Sequence, residues 1–516
     1  MRSILWMGVL LSAGIFHAVA LTVPSPPSTN LLVQWHFAGA NAVSADKSGA
    51  GAQWQVFEAR EMRRLAVERL GTQLNRLLLS DGFQTNPAVT AAATKWIERL
   101  WSAESTGQVY RDGQTVSGWQ IAALLSDTDH SDLTASISIV ATEWSLAPVA
   151  GSQAWTVSPS LRLQLARTNG WSVLSLLKPE SKERTAFLKQ FGTKSPVLGA
   201  QWLKVTLGFQ AMKPWWNVPA PLNTAVVQLS AGPKGKDIST VAQITFTQPQ
   251  PVKTVAWQVP TNTIRDPLIS FTALQGAALN WFDTAWIGDW KPPVKPDQMY
   301  LWAMDNIPFL SFAALHVPNS KEFLTKTEKD WLAVNPLLQS NRLGLVRSQT
   351  NGVGLVWNQL PIIVPTLKPA ADPDGDYLLG GLFPPPPSTN NIPGELLQQF
   401  VPRTNLVYYD WEVTAPRVQQ WQNLAPILNM ITSKVPVRGS NAGQTWIKAV
   451  GPKLGNAVTE ATVVNTREIT IVRRSTLGLT GYELNRLVRW FDNPGFPFAE
   501  VYQTPLPMVA PPGIRK

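Results

Sequence analysis

One stretch of the sequence combines the two residue types that suit a sugar ligand. Tryptophans and aspartates alternate there: Trp281, Asp283, Trp286, Asp289, Trp290, Trp302 and Asp305. Aromatic rings stack on the apolar face of a pyranose, carboxylates bind its hydroxyl groups, and a suitably spaced carboxylate pair hydrolyses a glycosidic bond. The pattern indicates a glycan-binding protein or a carbohydrate-active enzyme. Because the chain holds 23 tryptophans, the sequence favours the alternative that these rings are core and rim of a second domain.

A loop around Gly375 is the better of two candidate metal sites. It gathers Asp372, Asp374 and Asp376, and Ca²⁺ takes oxygen ligands from alternate residues of such loops. A second acidic turn spans residues 127–132. Both lack the terminal glutamate of a twelve-residue calcium loop, so the favoured interpretation of each is an ordinary Asp-rich turn.

The rest of the sequence carries no recognisable catalytic or cofactor signature. Cysteine is absent, which excludes thiolate nucleophiles, thiolate metal sites and disulfides. Beyond residue 20 the only histidines are His36, His130 and His316, and they lack the paired spacing of a zinc site. No nucleophile elbow, phosphate-binding loop or dinucleotide fingerprint is present. The sequence therefore favours a non-catalytic protein without a cofactor.

The charge distribution argues against a nucleic-acid partner. The net charge is +10, yet only 15% of residues are charged and the basic residues are dispersed along the chain. Nucleic-acid binders usually cluster basic residues on one face or segment. A diffuse positive surface is more typical of adhesion to anionic material, so the expected partners are a glycan, a lipid or another envelope protein.

The first thirty residues have the pattern of an export signal and a tether. Arg2 precedes an apolar run that ends at Ala18-Val19-Ala20, where small residues occupy the two positions read by a signal peptidase. We expect cleavage after Ala20 and a periplasmic or extracellular location; the alternative is an uncleaved anchor. Residues 21–30 read as a Pro/Ser-rich tether. No later apolar run has the length of a membrane span.

The chain is long enough for two domains after such a cleavage. We predict an α+β protein with a first domain at 31–248, a linker region at 249–265 and a second domain at 266–516, which includes a Pro-rich loop at 384–394. Each domain is expected to be a mostly antiparallel sheet with helices packed on one face.

Three local patterns are strong enough to predict individual elements. Asn169-Gly170 supplies the two positive-φ residues of a tight turn between strands at 161–165 and 171–177. A second hairpin pairs 224–229 with 238–247. A capping box formed by Thr480 and Glu483 starts the last helix.

Short echoes between the halves suggest that the two domains are related. Arg342–Arg347 resembles Arg162–Arg167, and Thr404–Val407 resembles Thr29–Leu32, although the order of the echoes differs between the halves. A diverged and partly rearranged duplication explains them. Chance similarity among short strand-and-turn segments is the alternative.

The signal, the Trp-rich strand–helix units and the segments Asp266–Ala273 and Thr404–Asp410 resemble exported envelope proteins of bacteria that have no assigned activity. The resemblance implies no functional residues. We therefore expect a non-catalytic binding or scaffolding protein of the cell envelope. The alternatives are a carbohydrate-active or glycan-binding protein that uses residues 281–305, and an envelope-lipid binder with an apolar groove between sheet and helices.

Overall fold

A computed structural model describes most of the chain. The described residues are 31–57, 64, 67, 87–112, 115–191, 200–208, 225–279, 295–305, 310–333, 335–340, 344–349, 354–360, 363–373, 375–384, 390–431 and 441–493.

In the part of the chain that the structure describes, twenty strands form one antiparallel sheet that is not closed. The strands before residue 249 are β1 Leu31–Phe37, β2 Ser105–Asp112, β3 Thr115–Leu124, β4 Ala147–Pro148, β5 Ala154–Ser158, β6 Leu161–Thr168, β7 Trp171–Leu177, β8 Leu203–Gly208, β9 Val226–Lys234 and β10 Asp237–Thr245. The later strands are β11 Leu268–Gln275, β12 Gln298–Met304, β13 Ser311–His316, β14 Leu345–Ser348, β15 Leu355–Asn358, β16 Thr366–Asp372, β17 Gly375–Gly381, β18 Leu406–Val413, β19 Asn456–Asn465 and β20 Glu468–Ser475.

The described helices connect and cover these strands. They are α1 Ala40–Ala45, α2 Gly49–Phe57, α3 Pro87–Ser102, α4 Asp127–Glu143, α5 Lys182–Lys189, α6 Ser320–Ala333, α7 Asn335–Ser340, α8 Gly394–Phe400, α9 Thr414–Ile431, α10 Ala442–Val450 and α11 Gly481–Asp492. None of these helices has the length and apolar character of a membrane span.

The three local predictions are confirmed. Asn169 and Gly170 have positive φ and join β6 to β7, and β9 pairs with β10 as the second hairpin. Thr480 accepts a hydrogen bond from the Glu483 N–H while the Glu483 carboxylate accepts one from the Thr480 N–H, which is the predicted capping box of α11.

The two halves of the sheet have the same strand order. From the centre outwards the first half runs β10, β9, β8, β1, β2, β3, β7, β6, β5, β4. The second half runs β20, β19, β18, β11, β12, β13, β17, β16, β15, β14. Every strand of the first half thus corresponds to the strand ten places later in the chain.

The ladder between β10 and β20 joins the halves and defines a local two-fold axis. Val241 lies opposite Val472 in this ladder. On the next strand outwards in each half, Ser230 lies opposite Val241 and Glu460 lies opposite Val472. Ser230 and Glu460 are therefore corresponding residues of the two halves. Ala242 and Arg473 directly follow these valines in their strands. Ala242 lies opposite Ile471 and Arg473 lies opposite Thr240, as two-fold symmetry about the valine pair requires.

A pair of glycines supports this correspondence independently. Continuing the pairs through β8 and β18 makes Phe37 correspond to Leu274, and therefore Gly39 to Gly276. Both glycines have positive φ, +87° and +55°, and in both a Cβ atom would lie 2.4 Å from a backbone atom. The segments from the sequence echoes are not corresponding ones, because Arg162–Arg167 lies in β6 whereas residues 345–347 lie in β14.

Helices lie on both faces of the sheet, so the prediction of one helical face is wrong for the first half. Leu133 and Ile137 of α4 share a core with Leu174 and Leu176 of β7. Phe187 of α5 packs instead against Trp171 and Val173, which point to the other face of the same strand.

A single sheet passes through the boundary between the two predicted domains. A shared core contains Val227 and Ile244 from the first half and Leu274 and Ile469 from the second. The linker region is attached to the second half, since the buried side chain of Gln298 accepts a hydrogen bond from the Gln258 N–H and donates one to the Ala256 carbonyl.

We expect Gly39→Ala and Gly276→Ala to destabilise the protein by similar amounts, each on the order of 2 kcal/mol or more. An alanine at positive φ costs about 1–2 kcal/mol, and the Cβ clash with backbone adds to this. Urea unfolding measures the change. Gly380→Ala is the control, because its Cβ would make only ordinary contacts, at 3.5 Å with the Leu367 side chain and at 3.8 Å with the Thr366 carbonyl oxygen. Equal changes in all three variants would contradict the correspondence of the two glycines.

Candidate functional site

Most of the Trp/Asp-rich stretch lies outside the described residues. Trp281, Asp283, Trp286, Asp289 and Trp290 belong to that part. Trp302 lies in β12, is 3% exposed and stacks on Phe312 at 5.5 Å between ring centroids. It therefore presents no face to a sugar. Asp305 follows β12 and is exposed.

The predicted metal loop is the turn between β16 and β17. Asp372 accepts a hydrogen bond from the Asn262 N–H and Asp376 accepts one from the Ser320 N–H, while Asp374 lies outside the described residues. The other acidic turn is the first part of α4, where Asp127 pairs with Arg167 and Asp132 with Lys95. Among the described residues, no group of three or more potential ligands could hold a metal ion.

Comparison of corresponding positions in the two halves reveals a different candidate. Around the meeting of β1, β8, β9 and β10, six positions are apolar; this apolar set is Trp35, Leu203, Val205, Leu207, Leu229 and Ala242. The corresponding positions in the second half are polar or bear a polar group; this polar set is Thr272, Tyr408, Asp410, Glu412, Thr459 and Arg473. Trp35, Leu203, Val205 and Leu207 are buried in the hydrophobic core of the first half. The sheet can therefore accommodate apolar side chains at these positions.

Strand β18 and helix α9 supply most of the site from one continuous segment. Side chains alternate along a strand, so Tyr408, Asp410 and Glu412 share one face, while Tyr409 points to the aromatic core on the other face. Helix α9 begins at Thr414, directly after β18. Its Arg417 is close enough to Asp410 and Glu412 for the charges to affect one another. We call Tyr408, Asp410, Glu412, Arg417, Arg473 and Glu483 the charged cluster.

The two carboxylates each have fixed partners on one oxygen. Asp410 Oδ1 accepts a hydrogen bond of 2.6 Å from the Thr272 hydroxyl. Glu412 Oε1 accepts one of 2.6 Å from the Gly481 N–H and one of 3.0 Å from the Thr414 hydroxyl. The Gly481 N–H belongs to the first turn of α11, where the helix dipole favours a negative charge.

Arg473 is held by several groups on the same side of the sheet. Its Nη1 lies 2.6 Å from Glu483 Oε2, and its Nε donates to the Thr459 hydroxyl at 2.9 Å. Glu483 is also the capping-box residue of α11. The start of α11 is therefore tied to β20 and β18 through charged side chains.

Arg417 is the less engaged of the two arginines. It donates to Gln420 Oε1 at 2.7 Å, and its guanidinium lies 4.8 Å from the ring centroid of Trp421. The ring of Tyr482 meets Trp421 edge-on at 4.8 Å. Among the described residues, no carboxylate lies within ion-pair distance of Arg417.

Burial determines the protonation of this cluster. It raises the pKa of Glu412 to about 7, with a further contribution from the charge of Asp410. Burial also raises the pKa of Asp410 despite its hydrogen bond from Thr272, and it lowers the pKa of Arg417. The pKa of Tyr408 is raised by burial and then by Asp410. Carboxyl groups with raised pKa values next to arginines are typical of functional sites.

Several polar atoms of the cluster remain available. No described residue donates a hydrogen bond to Asp410 Oδ2, Glu412 Oε2 or the Tyr408 hydroxyl. Within the described residues, the Arg417 side chain donates one hydrogen bond, to Gln420. Asp410, Tyr408 and Arg417 keep part of their surface accessible, whereas Glu412 is 4% exposed.

The sequence did carry a signal for this site. Tyr408-Tyr409-Asp410-Trp411-Glu412 alternates two acids with aromatic residues at the spacing of a strand, followed at once by a helix.

Comparisons with protein-family models, curated proteins and solved structures gave no match to this chain.

We expect Glu412→Gln to stabilise the protein at pH 8 by on the order of 1–3 kcal/mol and to have little effect at pH 4. A raised folded-state pKa means that the wild-type stability contribution is full below the ordinary pKa and is lost as the pH rises through about 7. The amide keeps the oxygen that Gly481 and Thr414 bind. Urea unfolding across this pH range is the measurement.

Glu460→Gln is the matched control for this substitution. Glu460 pairs with Arg403 at 2.6 Å on the opposite face of the neighbouring strand, and it is about a quarter exposed. Its loss should lower the free energy of unfolding at pH 8 by at most about 1 kcal/mol. A destabilised Glu412→Gln variant at pH 8 would show that the Glu412 charge stabilises the fold.

Proposed function

We propose that this protein is a non-catalytic, exported binding protein of the cell envelope, and that the charged cluster is its ligand site. The observation that carries the proposal is the contrast between the apolar set and the polar set at six corresponding positions of one framework. Because hydrocarbon fills these positions in the first half, the architecture itself does not require charged groups there.

The free-energy cost of burying these charged groups also favours a functional role for them. Burying ionised groups costs free energy that their mutual attraction often fails to recover, and apolar replacements are often neutral or stabilising. The raised pKa values of Asp410 and Glu412 are the sign of this unfavourable burial. Groups that reduce stability in this way are commonly retained for function.

Export is part of the proposal and is supported by the sequence alone. The apolar run up to Ala20, the small residues Ala18 and Ala20, and the Pro/Ser-rich segment at 21–30 have the order of a signal peptide and tether. The resemblance to exported bacterial envelope proteins supports the same location.

A carbohydrate-active enzyme is the second candidate, and one observation favours it. A pKa of about 7 suits Glu412 to general-acid catalysis at neutral pH, and Asp410 lies two residues away on the same strand face. Cleavage of an oligosaccharide by the wild type, abolished in Glu412→Gln, would support this candidate over the binding function.

The binding function predicts that a ligand class stabilises the wild type through the charged cluster. The probes are neutral oligosaccharides, an acidic polysaccharide and anionic lipid vesicles, followed by thermal unfolding. At least one class should raise the melting temperature of the wild type by a few degrees, because binding to the folded state stabilises it. Asp410→Asn and Arg417→Met should lose this shift, whereas Glu460→Gln should keep it. Equal shifts in all variants, or none in the wild type, would contradict the proposal.

A further inference from the structure

We propose that the charged cluster binds a neutral, polyhydroxylated ligand, a segment of glycan chain, with a sugar ring against Tyr482 and Trp421 and its hydroxyls on Arg417, Asp410 and Tyr408. This inference rests on the proposed binding function and specifies its ligand class. It assigns the sugar contacts to residues other than those that the sequence predicts within 281–305.

The available hydrogen-bonding atoms are of both kinds. Arg417 offers the N–H groups that it does not donate to Gln420, Asp410 Oδ2 offers an acceptor, and the Tyr408 hydroxyl is both; none of these atoms has a partner among the described residues. A sugar hydroxyl is also both donor and acceptor, so it can bridge a carboxylate and a guanidinium. Specific pockets use few such polar groups to orient a ligand.

The aromatic surface is adjacent to these polar atoms. Gly481 donates its N–H to Glu412, and the next residue is Tyr482. Tyr482 is 37% exposed, which makes it one of the few large apolar side chains at the described surface. Its ring contacts Trp421, whose ring lies under the Arg417 guanidinium, and the Arg486 guanidinium lies 5.7 Å from the Tyr482 ring centroid. One ligand could therefore reach the aromatic pair and Arg417 together.

The charge balance favours a neutral ligand over an anionic one. Three carboxyl groups, Asp410, Glu412 and Glu483, are balanced by three guanidinium groups, those of Arg417 and Arg473 and that of Arg486 over the Tyr482 ring. Arg473 is already paired with Glu483. An anion bound to Arg417 would be repelled by the carboxylates of Asp410 and Glu412. A cation bound to those carboxylates would be repelled by Arg417. Hydroxyl groups meet neither repulsion.

Isothermal titration calorimetry at pH 7 tests the inference with named probes. These are cellohexaose and chitohexaose as neutral chains, a heparin hexasaccharide as an acidic chain, and vesicles of phosphatidylcholine with phosphatidylglycerol. We expect a neutral chain to bind the wild type, and Tyr482→Ala to weaken binding at least about fivefold, the value of one aromatic contact. Tyr482→Phe should retain binding. Trp331→Ala removes a partly buried tryptophan that contacts Trp357 elsewhere, and it should also leave binding unchanged.

The outcomes separate this inference from the proposed function. Binding of heparin or vesicles, but of neither neutral chain, that is lost in Asp410→Asn and Arg417→Met would overturn the glycan inference and leave the binding function standing. Binding of a neutral chain that is unaffected by Tyr482→Ala, Asp410→Asn and Arg417→Met would overturn the placement of the site. No binding of any probe would overturn both.

Discussion

The antiparallel ladder between β10 and β20 is the interaction on which the rest of the architecture depends. It joins two ten-strand halves at their inner strands, and it places Val241 opposite Val472, two residues that correspond in the strand order of the halves. Antiparallel pairing of corresponding strands creates a local two-fold axis without further contacts. All other correspondences, from Ser230 and Glu460 out to Gly39 and Gly276, follow from the register of this ladder and its neighbours.

This symmetry turns the first half into an internal reference for the second. Where Val205 and Leu207 join the first core, Asp410 and Glu412 occupy the same places beside α9 and α11. The exchange replaces burial of hydrocarbon by burial of charge, which raises the pKa of both carboxyl groups. The other face of these strands differs as well, because Gln34, His36 and Thr206 of the first half correspond to Phe271, Ala273 and Trp411 of the second. The second half therefore keeps its aromatic core on one face of these strands and the charged cluster on the other.

Sequence patterns predict the local elements well, whereas they do not specify the contacts of the charged cluster. The hairpin at Asn169-Gly170 and the capping box at Thr480 depend on neighbouring residues, so their signals are complete in the sequence. The charged cluster depends on pairings such as Thr272 with Asp410, 138 residues apart, and no local pattern specifies them. Tryptophan content drew attention to Trp302, which the fold buries. The echo between 162–167 and 342–347 does not join corresponding strands where both are described, because Arg162–Arg167 lies in β6 and residues 345–347 lie in β14.

We propose that the charged cluster is an open binding site in addition to tying the start of α11 to the sheet. A crystal structure at a resolution that places ordered water would test it most directly. We expect water molecules or a bound molecule that link the Arg417 guanidinium to Asp410 and the Tyr408 hydroxyl beside the exposed ring of Tyr482. A direct bidentate pair between Arg417 and either Asp410 or Glu412, with no solvent among these side chains, would contradict it.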